Sequence, residues 1–430
     1  MKKPNFIIIY CDDLGYGDLG CYGSEHVKTP YLDKLAEEGV KFTNWYSNSP
    51  VCSPSRASLL TGQYPSKTGI TSILSGKRGA TGLPTTTETL ATKLKSIGYN
   101  TAMFGKWHLG ASLDTGPNAH GFDEFFGFRA GCVDYYSHIF YYESPPVHDL
   151  WHNEQEVWSN GEYLTELITE KAVTFIEKQE DQENPFFMYV PYNAPHYPMH
   201  APDTYMERFS HLPWDRQVMA AMIAAMDEGV GHIVDTLKKT GNYEDTVIFF
   251  SSDNGPSAEV RNWLDGTEDR YYGGSAGIFR GHKASLFDGG IREPAILSYP
   301  AVISKGQISE ELGVMMDIFP TFLSLAKEPY SEDAFDGKDI VEMVTRDGIS
   351  PHKQVFWEYN EQLAVRQGNW KLVLNGKLDF DTKVESSIHL SDLKDDPSER
   401  TNLAEQNQEL VEQMKEDLLK WNEDMKKVSI

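Results

Sequence analysis

The sequence predicts an α/β protein: a central, mostly parallel sheet flanked by helices, followed by a small C-terminal antiparallel sheet and one last helix. Three observations predict it. Short, continuously apolar runs, the pattern of strands buried on both faces, alternate with helical stretches for most of the chain. Hydrophobic residues make up 40% of the 430, ample for a large core. Near Pro351 the pattern changes to short strands separated by tight turns, then a final helical stretch.

Each element has its own local signal. Residues 6–10 are the first buried strand, 31–38 a helix stopped by Gly39, and 41–46 a further strand. Residues 90–97 are a helix ending at Gly98, 101–104 a short strand, 163–178 a helix and 186–190 a buried strand. A long helix covers 217–240 and stops at Gly241. Strands 246–251 and 295–298 and a helix over 315–326 follow. Beyond Pro351, residues 355–359, 363–366, 370–373 and 388–390 are strands, and about 405–426 is the last helix. The organisation expected is a large α/β domain over 1–350 and an α+β subdomain over 351–430. There are no internal repeats and no low-complexity segments.

Charge and composition exclude several functions. With 39 basic and 64 acidic residues the net charge is -25, so most of the surface repels nucleic acid and anionic membranes. The longest apolar run, 218–226, is far short of the roughly 20 residues a membrane helix needs. Four cysteines, Cys11, Cys21, Cys52 and Cys132, are too few for a disulfide scaffold and show no zinc-site spacing. Met1-Lys2-Lys3-Pro4 leads straight into the first strand without a signal-peptide pattern. The expected location is cytoplasmic, the alternative being an exported protein whose leader has been removed. The oligomeric state is not set by the sequence.

Ligands of open α/β sheets bind at the carboxyl ends of the strands. Two of the buried strands end there in acids: the first runs through Cys11 into Asp12-Asp13, and 246–251 runs through Ser252 into Asp253-Asn254. Such oxygen ligands suit Ca²⁺ or Mg²⁺ rather than zinc, although acid pairs also form turns. In Cys52-Ser53-Pro54-Ser55-Arg56, Ser53 is a candidate N-cap, Pro54 the first helical residue and Gly62 the helix stop. Cys52 would then sit beside a helix N-terminus, where a thiol pKa falls, with Arg56 one turn in. It is then a buried structural thiol, a thiolate nucleophile, or a position that requires oxygen; a soft thiolate is a poor neighbour for a hard cation. Lys106 and His108 lie two apart after a short strand, on the same side. Gly105-Lys106 is not a P-loop, because Asn100 and Trp107 stand where that motif needs Gly and Ser/Thr. His196 follows strand 186–190, and Lys283 follows a glycine-rich loop.

These residues resemble one family. Cys52-Ser53-Pro54-Ser55-Arg56 is similar to the C-x-P-S-R signature of the formylglycine-dependent (type I, arylsulfatase-like) sulfatases of the alkaline phosphatase superfamily, and the stretch from Gly98 to His108 resembles the second signature, departing from it at Phe104. The resemblance extends from Asn5 to about Pro300. It returns at Leu390-Ser391-Asp392-Leu393, Asp396-Pro397 and Asn402-Leu403. It implies an alkaline-phosphatase-like fold and conversion of Cys52 to formylglycine (3-oxoalanine) by a maturating enzyme. It implies one divalent metal, Ca²⁺ favoured over Mg²⁺, held by Asp12, Asp13, Asp253, Asn254 and residue 52. Arg56 and Lys106 would stabilise the aldehyde hydrate, His108 would bond its second hydroxyl, and His196 and Lys283 would meet the sulfate and the leaving oxygen. One hydroxyl attacks sulfur, His196 or Lys283 protonates the leaving alcohol, and His108 deprotonates the second hydroxyl to release sulfate.

The function expected is sulfate-ester hydrolysis, with a phosphonate monoester or phosphodiester hydrolase as the alternative. A thiol phosphatase would not need the acid cluster, and a non-catalytic glycan binder would not need Arg56, Lys106, His108 and His196. Tyr135, Tyr136, Tyr141 and Tyr142 form an aromatic-rich segment suited to a sugar, with His138 a candidate sulfate contact. The expected substrate is a sulfated mono- or oligosaccharide attacked at its end, because net charge -25 repels long polyanions.

Overall fold

A computed structural model of the protein describes residues 3–142, 145–180, 182–258, 273–346 and 348–428. Its central sheet has ten strands. In spatial order they are Gln307–Ser309, Val40–Phe42, Ala295–Ser298, Thr246–Ser252, Asn5–Cys11, Phe186–Pro191, Asn100–Lys106, Glu124–Phe128, Trp151–His152 and Gln155–Glu156. The run from Thr246–Ser252 to Glu124–Phe128 is parallel. Ala295–Ser298 and the hairpin at the far edge are antiparallel to their neighbours.

The first strand shows why the sheet is buried on both faces. Ile7, Ile9 and Cys11 point into one apolar cluster and Phe6, Ile8 and Tyr10 into another, as the two-residue repeat of a strand requires. Helices Pro30–Glu37, Leu164–Lys178 and Trp214–Lys239 cover the first face. Cys52–Thr61, Leu90–Ser96 and Ile318–Leu325 cover the second. In register, Cys11 pairs with Ser252, so Asp12 and Asp253 leave the sheet side by side.

The C-terminal sheet is antiparallel, with strands Val355–Tyr359, Gln362–Gln367, Trp370–Gly376 and Ser386–Asp392 in sequence order. Val365, Leu372 and Leu390 on one face pack on Val411, Met414 and Leu418 of helix Gln408–Val428. Trp357, Ala364 and Val373 on the other face pack on Tyr46, Val51 and Phe287 of the main body. A buried ion cluster crosses the same boundary. Lys371 Nζ lies 2.6 Å from Asp288 Oδ1 and 3.1 Å from Glu399 Oε1. Arg292 and the Tyr46 hydroxyl hold Asp288 Oδ2 at 3.1 and 2.8 Å.

Two elements depart from the sequence expectation. Residues 41–46 are not one strand: Val40–Phe42 joins the main sheet, and Trp45–Tyr46 pairs separately with Gly313–Val314. Arg292 Nε and the Tyr16 hydroxyl take up the Thr43 carbonyl at the break, so that group needs no strand partner. The helix expected over 315–326 begins as a 3-10 turn, Met315–Asp317, whose Asp317 carboxylate accepts the Val314 N–H. Among the described residues no helix is long and apolar enough to cross a membrane.

Candidate active site

The paired strand ends bring the acids together. Asp13 sits in the left-handed region (φ 63), and its Oδ1 accepts from Asn254 Nδ2 at 2.7 Å. Gly255 follows so close to Gly289 that a Cβ there would lie 1.9 Å from the Gly289 carbonyl oxygen.

Cys52 is the first residue of helix Cys52–Thr61, after Val51 with an extended backbone. Ser53 is therefore inside the helix rather than its N-cap; its Oγ accepts the Leu74 N–H at 3.1 Å. Gly62 ends the helix as expected (φ 67). Arg56, fully buried, donates from Nε and Nη2 to Asp253 Oδ2 at 3.0 and 2.7 Å. Lys106 Nζ reaches Asp12 Oδ2 at 2.5 Å and Lys283 Nζ reaches Asp13 Oδ2 at 2.9 Å.

The two histidines are held in opposite senses. His108 Nε2 is 3.1 Å from the Leu74 carbonyl oxygen, so it carries the donated proton and leaves the unpartnered Nδ1 as a lone pair. Gly131 gives that ring room: a Cβ there would lie 2.7 Å from it. His196 Nδ1 faces the Tyr197 carbonyl at 2.5 Å, which leaves Nε2 3.6 Å from Asp13 Oδ2. Burial lowers the pKa of both histidines, with Lys106 and Arg56 adding to it at His108 and Lys283 and Lys106 at His196.

A cavity of about 600 Å³ opens on this group, lined by Cys52, His108, His196 and Lys283. Leu74, Cys132, Phe140 and Phe380, which carry no local sequence signal, also line it, as does Tyr142. Tyr135 is buried instead, its hydroxyl donating to the Asn193 and His196 carbonyls at 2.8 and 3.0 Å. Tyr136 packs on Tyr163. His138 is not among the cavity-lining residues; it is buried, with Nε2 3.2 Å from the Glu162 carbonyl and its ring edge-on to His148. Its placement does not support a sulfate contact.

The electrostatics correct one expectation. Burial pushes the Cys52 thiol pKa up, with Asp12 and Asp253 adding to it against the pull of Lys106 and Lys283. Burial would also raise Asp12, but His196, Lys106, Arg56 and Lys283 hold its carboxyl well below the usual range. Burial and the Asp12 charge push Asp253 up to about 7 against Arg56.

A hard cation fits these residues. Asp12 Oδ1 and Asn254 Oδ1 are buried oxygens with no hydrogen-bond partner. Ligand atoms of Asp12, Cys52 and Asp253 lie within 4.8 Å of one another, as do those of Asp12, Asp13 and His196. The Cys52 sulfur is mismatched with a hard cation held by carboxylates, and an oxygen at that side chain removes the mismatch.

The fold is that of the alkaline phosphatase superfamily, with Cys52 at a helix start beside an acid cluster. The Sulfatase profile matches residues 4–328, and that of the N-sulphoglucosamine sulphohydrolase C-terminal region matches 274–424. Mouse arylsulfatase J is 36% identical over 403 residues, covering 91% of this chain and 64% of its own. Rat N-acetylgalactosamine-6-sulfatase is 34% identical over 391 residues, covering 86% and 71%. The crystal structure of Ps i-CgsB in complex with k-i-k-neocarrahexaose superposes with TM-score 0.86 at 32% identity, covering 98% of this chain and 93% of that one. The chain belongs to the type I sulfatases, the sulfuric ester hydrolases of that superfamily.

Proposed function

We propose that this protein hydrolyses sulfate esters of carbohydrates, releasing one sulfate from the end of a mono- or oligosaccharide. The observation that carries the reading is the convergence of Cys52, His108, His196 and Lys283 on one cavity over the Asp12/Asp253 cluster. The relatives named for N-acetylgalactosamine-6-sulfate and the neocarrahexaose complex support a sugar substrate.

Asp12, Asp13, Asp253, Asn254 and residue 52 would hold the cation, with Ca²⁺ favoured because its shell is flexible. A formylglycine at position 52 supplies, as its hydrate, an oxygen nucleophile with a second hydroxyl, and the cation supplies positive charge beside it. The chain's own residues do the rest. Arg56 and Lys106 fix the carboxylates around residue 52 and add positive charge there. His108 accepts a proton at its free Nδ1. The leaving oxygen takes its proton from the Lys283 ammonium, or from His196 Nε2, which holds one only as imidazolium because Nδ1 faces a carbonyl. The Tyr135 hydroxyl keeps the His196 segment in place. Maturation requires a formylglycine-generating enzyme as partner. The division into 1–350 and 351–430 belongs to the same proposal, supported by the separate sheet that begins at Val355.

Assaying the matured, metal-loaded protein against sulfated sugars and aryl phosphodiesters tests this. Sulfate release from sugars is expected; phosphodiester turnover with no sulfate ester cleaved would establish the phosphodiesterase alternative.

A further inference from the structure

A second cavity, of about 220 Å³, lies where the C-terminal sheet and last helix meet the main body, and the catalytic site does not use it. Its wall is aromatic and hydroxylated. Trp421 stacks on Phe356 (5.2 Å, 9°) and meets Tyr64 edge-on (5.1 Å), and Tyr359 and Ser66 also line the cavity.

Two donors there lack partners. Asn48 lines the cavity and is 1% exposed; its Oδ1 accepts the Met316 N–H at 2.9 Å, while its Nδ2 donates to nothing. The Trp421 Nε1–H is likewise buried without an acceptor. Leaving such donors unpaired costs about 1–3 kcal/mol each, so a ligand rich in acceptor oxygens suits them. Glu358 and Lys426 contribute opposite charges to the wall, which favours a neutral ligand over a second anion. Apolar ring faces on aromatics together with hydroxyls on buried donors are the complement of a neutral pyranose.

The cavity adjoins the active site. Thr71 and Ser72 line this one, and the next residues, Ile73 and Leu74, line the other. Tyr359 lies within electrostatic reach of Lys283 and Cys52. We propose that this second cavity binds an uncharged, unsulfated glycosyl unit of the same oligosaccharide whose sulfated end reaches Cys52. The proposal rests on the carbohydrate-sulfatase reading.

The test has a binding arm and a kinetic arm. Neutral disaccharides (lactose, cellobiose, maltose and chitobiose) are titrated to about 10 mM, where a Kd near 1 mM saturates. Saturation-transfer NMR and tryptophan fluorescence report binding to the intact protein. Ser72→Trp, at an exposed lining position, sets a bulky ring against the cavity, and Asn48→Asp keeps the Met316 contact while removing the free donor. Wild type is expected to bind at least one disaccharide and both variants to lose about tenfold in affinity, the factor carried by ~1.4 kcal/mol. In Ser72→Trp, KM for a monosulfated oligosaccharide should rise about tenfold, with the monosaccharide sulfate unchanged. The proposal is overturned if no neutral sugar binds, if binding survives both substitutions, or if the KM ratio does not move. Loss of all sulfatase activity with neutral-sugar binding intact would instead overturn the catalytic reading.

Discussion

Lys371→Met should weaken the joint between the C-terminal sheet and the main body, and do so in a pH-dependent way. Lys371 is fully buried and serves two carboxylates, Asp288 at 2.6 Å and Glu399 at 3.1 Å. Methionine keeps the unbranched side chain, one heavy atom shorter, and removes its charge. Asp288 would still have Arg292 and the Tyr46 hydroxyl. Glu399 would keep the Asp288 N–H at 2.5 Å but lose its ion pair. Removing one partner of a buried pair costs about 3–5 kcal/mol.

The sign with pH follows from Glu399. Burial and the Asp288 charge push its pKa up to about 7 against the pull of Lys371. A carboxyl raised in the folded state favours folding most below its unfolded pKa, near 4.5, and that contribution is lost as pH rises to about 7. The shift amounts to on the order of 3 kcal/mol over that window. Without Lys371 the folded pKa climbs further and the window extends above 7. Asp288 opposes this weakly: held down to about 2, it loses its contribution only as pH falls below the usual carboxylate range. Urea midpoints, followed by fluorescence and far-UV circular dichroism, should show the variant destabilised by about 3–5 kcal/mol near pH ~8.5 and by about half that near pH ~5.5. Lys371→Met/Glu399→Gln should recover most of the loss at the higher pH. An equal loss at both pH values, or no recovery in the double variant, would refute the assignment of the proton to Glu399.

Cys52→Ser should fold and retain substrate binding but not turn over, because a sulfated serine has no second hydroxyl through which to release the ester; mass spectrometry of tryptic peptide 42–56 follows maturation, and full turnover by homogeneous thiol protein would rule the mechanism out. His196→Ala should lower kcat/KM on a sugar sulfate about 10²–10⁴-fold and far less on an activated aryl sulfate, whose phenolate needs little protonation; equal losses would leave Lys283 as the acid. Chelation should lower the melting temperature and Ca²⁺ should restore it, since 100 Kd of ligand stabilises by about 2.7 kcal/mol; no shift with Ca²⁺ or Mg²⁺ would contradict the assigned cation site.

What could be read directly from the sequence has local causes. The apolar run 6–10, the acids behind it, and Gly62 after Cys52-Ser53-Pro54-Ser55-Arg56 each depend on residues a few positions apart. They located the first strand, the acid pair and the helix that starts at Cys52; the roles of these residues belong to the proposed function. Tertiary structure decided what depends on distant partners. Arg56 and Asp253, joined by two hydrogen bonds, are 197 residues apart. Packing across such separations buries the Cys52 thiol, and burial raises a pKa that the local sequence alone suggested would fall. Packing also buries Tyr135, brings Phe380 from between the last two strands of the C-terminal sheet to the cavity, and places His138 outside its lining. Residues 41–46 look like one strand because Phe42, Thr43, Trp45 and Tyr46 favour strands on both sides of Asn44; at the break the Thr43 carbonyl accepts from Arg292 Nε, some 250 positions on. Propensity and motif are set by neighbours along the chain, whereas burial, charge state and cavity shape are set by neighbours in space.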